Sequence, residues 1–244
     1  MQHDRNRVLI FRGIAVLISI ASITLSLVGS DSLMSLINKL CFFTQQSNIF
    51  LCVILIILFV KTVRDRIKFG RYGEICSIKH RWVHFLAIAY ITMTFVVFAL
   101  ILAVPVLINT LGKENAVMSI LISLGLHYIV PVMAIIDWVK FAPHGNINRK
   151  MPLYALCYFP VYMAMLVIRA TSGVPMIDYG TYVSMYPYPF LDIDALGWWS
   201  IIALPLCAVL LSLLAYGYVK FDNRLAKRKT TETEEVADEE NQLQ

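Results

Sequence analysis

"FFTQQSNIFLCVILIILFVK", Phe42 to Lys61, decides what kind of chain this is. Five consecutive polar side chains, Thr44 to Asn48, stand directly before an unbroken apolar run, Ile49 to Val60, that ends on a cation. A block of about 20 residues, rising ~1.5 Å each as a helix, crosses a hydrocarbon core of ~30 Å. Five further blocks are of that kind. The six expected spans are 8–29, 40–61, 81–108, 116–140, 151–170 and 196–219.

Composition agrees. The 244 residues are 59% hydrophobic and 15% charged, with a mean hydropathy of +0.70; a soluble domain carries about 25% charge. The expected fold class is all-α: a polytopic membrane protein with six transmembrane helices in one bundle. Residues 1–228 make the transmembrane domain. Residues 229–244 are acidic after Lys229 and lack aromatics, so a disordered, solvated tail is expected there. The opening "MQHDRNR" imitates the start of a secretory signal. The apolar part behind it runs to about 21 residues, against ~7–15 for a signal core, and no A-x-A site follows, so a retained helix is expected.

Charge sets the expected orientation. With the N-terminus inside, 18 of the 21 Lys and Arg fall on inner segments, and only Lys39, Lys113 and Arg169 fall on outer ones. Positive residues favour the cytoplasmic side, so both termini are expected in the cytoplasm of a multi-pass cell-membrane protein. The net charge of +5 then reports topology and attraction to lipid headgroups rather than nucleic acid. Membrane lipids are the expected partners. Cys41, Cys52, Cys76, Cys157 and Cys207 form no CxxC pair and share no ligand spacing with a histidine. Reduced thiols are expected, with no metal and no cofactor. The one long outer segment, 171–194, is rich in Pro, Tyr and Phe, and reads either as a cap over the bundle or as an interfacial aromatic belt.

Polar groups inside a membrane need partners within the protein, so they mark helix contacts or function. At 100° per residue Thr44, Ser47 and Asn48 share one stripe of the second block, with Cys41 one turn earlier; Gln45 and Gln46 point elsewhere, toward neighbours or the interface. Helix–helix hydrogen bonding is one use for such a stripe. The second cluster is "LHYIVPVMAIIDW", Leu126 to Trp138, in the fourth block. His127 is the one histidine deep in a span; His3, His80, His84 and His144 read as solvated or interfacial. Pro131 removes the hydrogen bond to the His127 carbonyl and favours a kink. Counting up from Lys61 and Lys140, Thr44 and His127 lie about 25 Å and about 20 Å above the inner boundary. A hydroxyl and an imidazole at matched depth suit a nucleophile and its base. Asp137 lies about 15 Å below His127 and is expected to pair with Lys140 or a loop cation. Asp192 and Asp194 can join the site only if the outer loop caps it.

"FFTQQSN" together with "LHYIVPVMAIIDW" resembles the androgen-induced-gene family of multispanning membrane proteins, and "YPYPFLD", Tyr186 to Asp192, resembles its bacterial branch. The resemblance spans about 40–215. It implies a threonine hydrolase of fatty acid esters of hydroxy fatty acids, with Thr44 as nucleophile and His127 assisting. The residues after Thr44 are more polar here than in the eukaryotic members. The expected activity is therefore intramembrane hydrolysis of a lipid-like acyl ester. Gln45, Asn48 or Tyr128 would donate to the oxyanion, and Ser47 and Asp192 are further substrate-binding candidates. The alternatives are a non-catalytic lipid or small-molecule binder or transporter, and a lipid acyltransferase using Cys41.

Overall fold

The computed structural model describes residues 3–75, 77–145, 147–178 and 182–242. Cys76 lies outside them. Six helices are long and apolar enough to cross a membrane: Arg5–Val28, Phe43–Phe69, Arg81–Thr110, Ala116–Phe141, Met151–Ala170 and Trp198–Arg228. The first is α1. The second, α3, follows a short helix α2 (Leu33–Leu40). The third is α4 (Arg81–Val97), a π-helical turn (Phe98–Leu102) and α5 (Ala103–Thr110). The fourth is α6 (Ala116–Leu124), a second π turn (Gly125–Ile129) and α7 (Val130–Phe141). The fifth is α8 (Met151–Leu156) and α9 (Tyr158–Ala170); after a turn of helix α10 (Ile193–Leu196), the sixth is α11 (Trp198–Gln242). Two antiparallel two-residue pairs tie loops, β1 (His3–Asp4) with β2 (Tyr72–Gly73) and β3 (Ile177–Asp178) with β4 (Val183–Ser184).

Two expectations about extent change. The second span begins at Phe43 rather than 40, because α2 ends at Leu40 and the chain turns at Cys41 and Phe42. Cys41 therefore caps α2 and does not share a helical stripe with Thr44. At the other end α11 stays helical to Gln242, since no Gly or Pro follows Gly217 to stop it.

The helices are inverted relative to those of a water-soluble domain. The buried face of α1 is Val8, Arg12, Ala15, Ser19 and Ser22, a stripe that is mostly small or polar, while Ile10, Leu17 and Val28 stand exposed. Small and hydroxyl side chains let helices approach and hydrogen-bond when the surroundings are as apolar as leucine. Helices α1, α3, α4 and α7 pack on one another around Leu51, Leu55, Leu58, Ile88 and Trp138. Helices α8 and α11 lie against α4 through Phe85, Tyr90, Leu211 and Ala215. At the end of the molecule away from the termini, Cys41, Tyr162, Leu166, Tyr188 and Leu191 form a third cluster. The candidate site lies beside that cluster.

Candidate functional site

Both π turns stand just ahead of a proline, and both border the same cavity. Proline brings no N–H and its ring crowds the preceding turn, so the chain widens to an i→i−5 pattern before it. In the third span the Ala103 amide donates to Phe98 O, two residues before Pro105. In the fourth the Val130 amide donates to Gly125 O, directly before Pro131. That diversion has a consequence the α-helical register does not foresee. Leu126 O loses Val130 to the wider turn, and the next donor position is the proline. Asn48, wholly buried on α3, fills the gap: its Nδ2 donates to Leu126 O at 3.1 Å and to Thr44 O at 2.9 Å. One side chain thus joins the turn that carries His127 to the turn that carries Thr44.

The His127 turn is held from a second side. A Cβ built on Gly125 would sit 2.1 Å from Ser22 Oγ, so only glycine allows α1 this close. His127 Nδ1 lies 2.9 Å from Ser123 O and 3.3 Å from Ser123 Oγ. Nδ1 therefore carries the proton and donates to the carbonyl, leaving Nε2 as the lone-pair nitrogen. The ring stacks on Phe98 at 3.6 Å, which fixes its plane. Among the described residues no hydrogen bond reaches Nε2.

Thr44 stands in the first turn of α3, where the amides lack intrahelical acceptors. Phe42 cannot cap them. Tyr188 does, its phenolic oxygen accepting from the Thr44 amide at 3.3 Å and lying 3.5 Å from Thr44 Oγ1. Burial pushes the Tyr188 phenol up from its ordinary range, so it keeps its proton at neutral pH. The tyrosine belongs to the 171–194 segment, whose Ile177, Pro187, Tyr188 and Pro189 line the cavity as a cover.

The cavity measures ≈ 390 Å³. Thr44, Gln45, Ser123, His127 and Tyr188 line it, together with Lys39, Asn109, Thr110 and Lys113, which give it a polar lining. A smaller apolar cavity of ≈ 60 Å³ is bounded by Thr44, Val97, Met163, Leu204 and Leu211 among others, and shares Phe98, Leu102 and Tyr188 with the larger one. Thr44 borders both.

The remaining sequence candidates separate. Gln45 is buried and lines the larger cavity; its Oε1 accepts from Ser26 at 3.4 Å and its Nε2 has no partner among the described residues. Gln46 turns away, donating to Leu40 O and accepting from Tyr158. Ser47 bonds to Thr94 at 2.8 Å and to Thr44 O at 3.0 Å, and lines a groove against α8 and α9 instead. Tyr128 packs edge-on against Phe95 and Phe98 and does not line the cavity. Asp192 caps α10, accepting from the Asp194 and Ala195 amides at 3.0 Å each, and stays off the cavity. Cys41 also stays off it, and burial pushes its thiol up. Tyr188 and Ser123 are the residues that reading the sequence misses. The first sits inside the "YPYPFLD" stretch; the second is one helical turn before His127.

Three expectations about the other half of the bundle are corrected. Asp137 pairs neither with Lys140 nor with a loop cation; Arg12 of α1 grips it at 2.7 and 3.1 Å. His84 is buried, with Nε2 unpartnered among the described residues, rather than interfacial. His144 is buried against Asp222 at 2.8 Å rather than solvated. Asp137 and His84 lie on helix faces that point inward, and His144 lies on a loop folded against α11, placements that distance along the chain does not reveal. Among the described cysteines all are free, Cys157 exposed and Cys41 and Cys52 buried; among the described residues no cluster could hold a metal.

No protein-family model, curated protein or solved structure matches the chain.

Proposed function

We propose that this protein is a membrane-embedded hydrolase of a lipid-like acyl ester, of the kind its resemblance to the androgen-induced-gene family implies. We place both termini in the cytoplasm and the candidate cavity toward the outer leaflet of the cell membrane, the sidedness that 18 of 21 cations support. The observation that carries the reading is that Thr44 and His127, on different spans, line one cavity, with His127 in the tautomer a base requires.

The steps follow. Thr44 Oγ1 attacks the ester carbonyl as His127 Nε2 takes its proton. The oxyanion receives hydrogen bonds from Gln45 Nε2 and the Tyr188 hydroxyl, a contribution of about 3 kcal/mol per donor. His127 returns the proton to the departing alcohol, leaving an acyl-threonine. Water from the polar part of the cavity then adds to that acyl group, again deprotonated by His127, and the acid departs as Thr44 is reprotonated. Ser123 O keeps the imidazole in register in place of a carboxylate. The apolar cavity that Thr44 borders takes the first carbons of the acyl chain.

A non-catalytic lipid or small-molecule binder or transporter is the second reading. It is favoured by one feature: Thr44 Oγ1 has Tyr188, not His127, as its polar neighbour. A Cys41-dependent lipid acyltransferase has less support, since Cys41 does not border the cavity.

Purified protein given long-chain esters and a fluorophosphonate probe separates these. Hydrolysis and a covalent adduct on Thr44, both lost in Thr44→Ala, are expected. Saturable lipid binding that outlives Thr44→Ala, with no adduct in the native protein, would establish the binder. Hydrolysis that survives both Thr44→Ala and His127→Ala rules out the proposed chemistry.

A further inference from the structure

A second hollow, ≈ 590 Å³, lies at the end of the molecule that carries the termini. Its lining includes Arg149, from the loop before the fifth span, and Lys220, Asn223, Arg224 and Lys227 from α11. No carboxylate lines it, and among the described residues no carboxylate pairs with any of its four cations. Other cations at that end are engaged: Arg71 with Asp4, Arg66 with Asn6, Arg64 with Asp65.

The hollow is built rather than incidental. Positions 220, 223, 224 and 227 follow i, i+3, i+4, i+7, so their side chains leave one face of α11. A different face holds the loop. Asp222, fully buried, accepts from the Gly145 amide at 2.8 Å and pairs with His144 Nδ1 at 2.8 Å. Gly145 has φ +95°, and a Cβ there would lie 2.7 Å from Ala226 Cβ. The loop that brings Arg149 is thus clamped against the helix that brings the other three cations.

Depth identifies the ligand. The apolar part of α11, Trp198 to Val219, is about 33 Å long, enough for the hydrocarbon core. Residues 220–227 occupy the next ~10 Å, the headgroup layer. Basic hollows beside membrane helices at this level suit phosphate-bearing headgroups. We propose that the hollow binds the headgroup of an anionic phospholipid, independently of the Thr44 chemistry.

The test uses the full chain in nanodiscs of phosphatidylcholine with and without phosphatidylglycerol, reading the lipid retained by native mass spectrometry. Lys220→Gln/Arg224→Gln/Lys227→Gln is expected to weaken phosphatidylglycerol binding about 100-fold. Arg64→Gln/Lys68→Gln/Lys79→Gln, an equal charge loss outside the hollow, should change it less than about threefold because distant charges are screened. Arg149→Gln tests the same hollow from another segment, and Gly145→Ala should weaken binding without removing any charge. Equal losses in the two triple variants, or unchanged binding in both Arg149→Gln and Gly145→Ala, would overturn the proposal. Displacement of the lipid by millimolar inorganic phosphate would assign the hollow to a soluble anion and overturn it as well.

Discussion

Two polar clusters sit inside the same apolar helices, and they are finished differently. Around Arg12 the two charged groups are answered. The guanidinium donates to both Asp137 oxygens, to Thr62 Oγ1 at 2.7 Å and to Leu58 O at 3.3 Å, and Thr62 donates onward to Leu58 O. Both charged side chains are about 1% exposed. Around Thr44 and His127 the accounts stay open. Among the described residues Gln45 Nε2 and Asn48 Oδ1 lack partners, Thr44 Oγ1 has one neighbour at 3.5 Å, and a cavity adjoins Thr44, Gln45 and His127. A satisfied buried network holds a structure in one arrangement. An unsatisfied one beside a cavity keeps its hydrogen-bonding capacity for something else.

That contrast can be broken by substitution. The largest expected effect is on rate at the open cluster: His127→Ala should lower ester hydrolysis by about 10²–10⁴-fold while leaving the thermal midpoint in detergent near that of the native protein. Asp137→Ala should do the reverse. It strands a buried guanidinium and should cost about 3–5 kcal/mol of stability, with hydrolysis per folded molecule retained. Arg12→Met/Asp137→Leu should recover most of that loss, since two apolar side chains leave no unpaired charge. An Asp137→Ala protein as stable as the native one would sink the structural reading of this cluster.

Asn48 stands between the two clusters in effect. Asn48→Ala leaves Leu126 O without a donor and should cost about 1–3 kcal/mol, together with a loss of rate as the His127 turn shifts. Pro131→Ala returns an N–H to the neighbourhood of that carbonyl. The two substitutions should therefore couple, the double variant losing less than the sum of the singles by about 0.5–3 kcal/mol. Additive losses would show that Asn48 does not act through Leu126.

The smallest effect is expected at the surface pair. Arg71 donates to Asp4 at 2.8 Å and, by that bond first, holds the Asp4 carboxyl below its ordinary range. A lowered folded-state pKa means the contribution is present at neutral pH and fades as pH falls through it. Arg71→Gln should lower the midpoint only slightly at neutral pH, because solvent screens exposed pairs, and should leave it unchanged at acid pH, where the Asp4 carboxyl is protonated in both proteins. A midpoint-against-pH series for the two proteins checks it.

The helices were readable from the chain because hydrocarbon imposes a length. Any apolar block of about 20 residues must cross or be buried, and the six blocks recur, the second and sixth helices running on past their expected ends to Phe69 and Arg228. Less could be read where the backbone departs from the α pattern. The break at Cys41 and Phe42 detached Cys41 from the Thr44 stripe. The π turn at Gly125–Ile129 leaves Leu126 O as the carbonyl that needs a donor. The partner of Asp137, Arg12, is 125 residues away in sequence, and charge counting places it with the inner cations.

The sequence by itself determined that Thr44 and His127 are intramembrane polar groups at similar depth, since composition and a fixed rise per residue set depth. Only the tertiary structure decided that they share a cavity. It also decided that Ser123 O sets the imidazole tautomer, that Tyr188 descends from a loop to cap Thr44, and that Arg12 rather than Lys140 answers Asp137. Depth is a property of one helix and follows from its own residues. Azimuth and contact belong to pairs of helices, and they are fixed by how small, polar and proline-bearing faces fit together across the bundle.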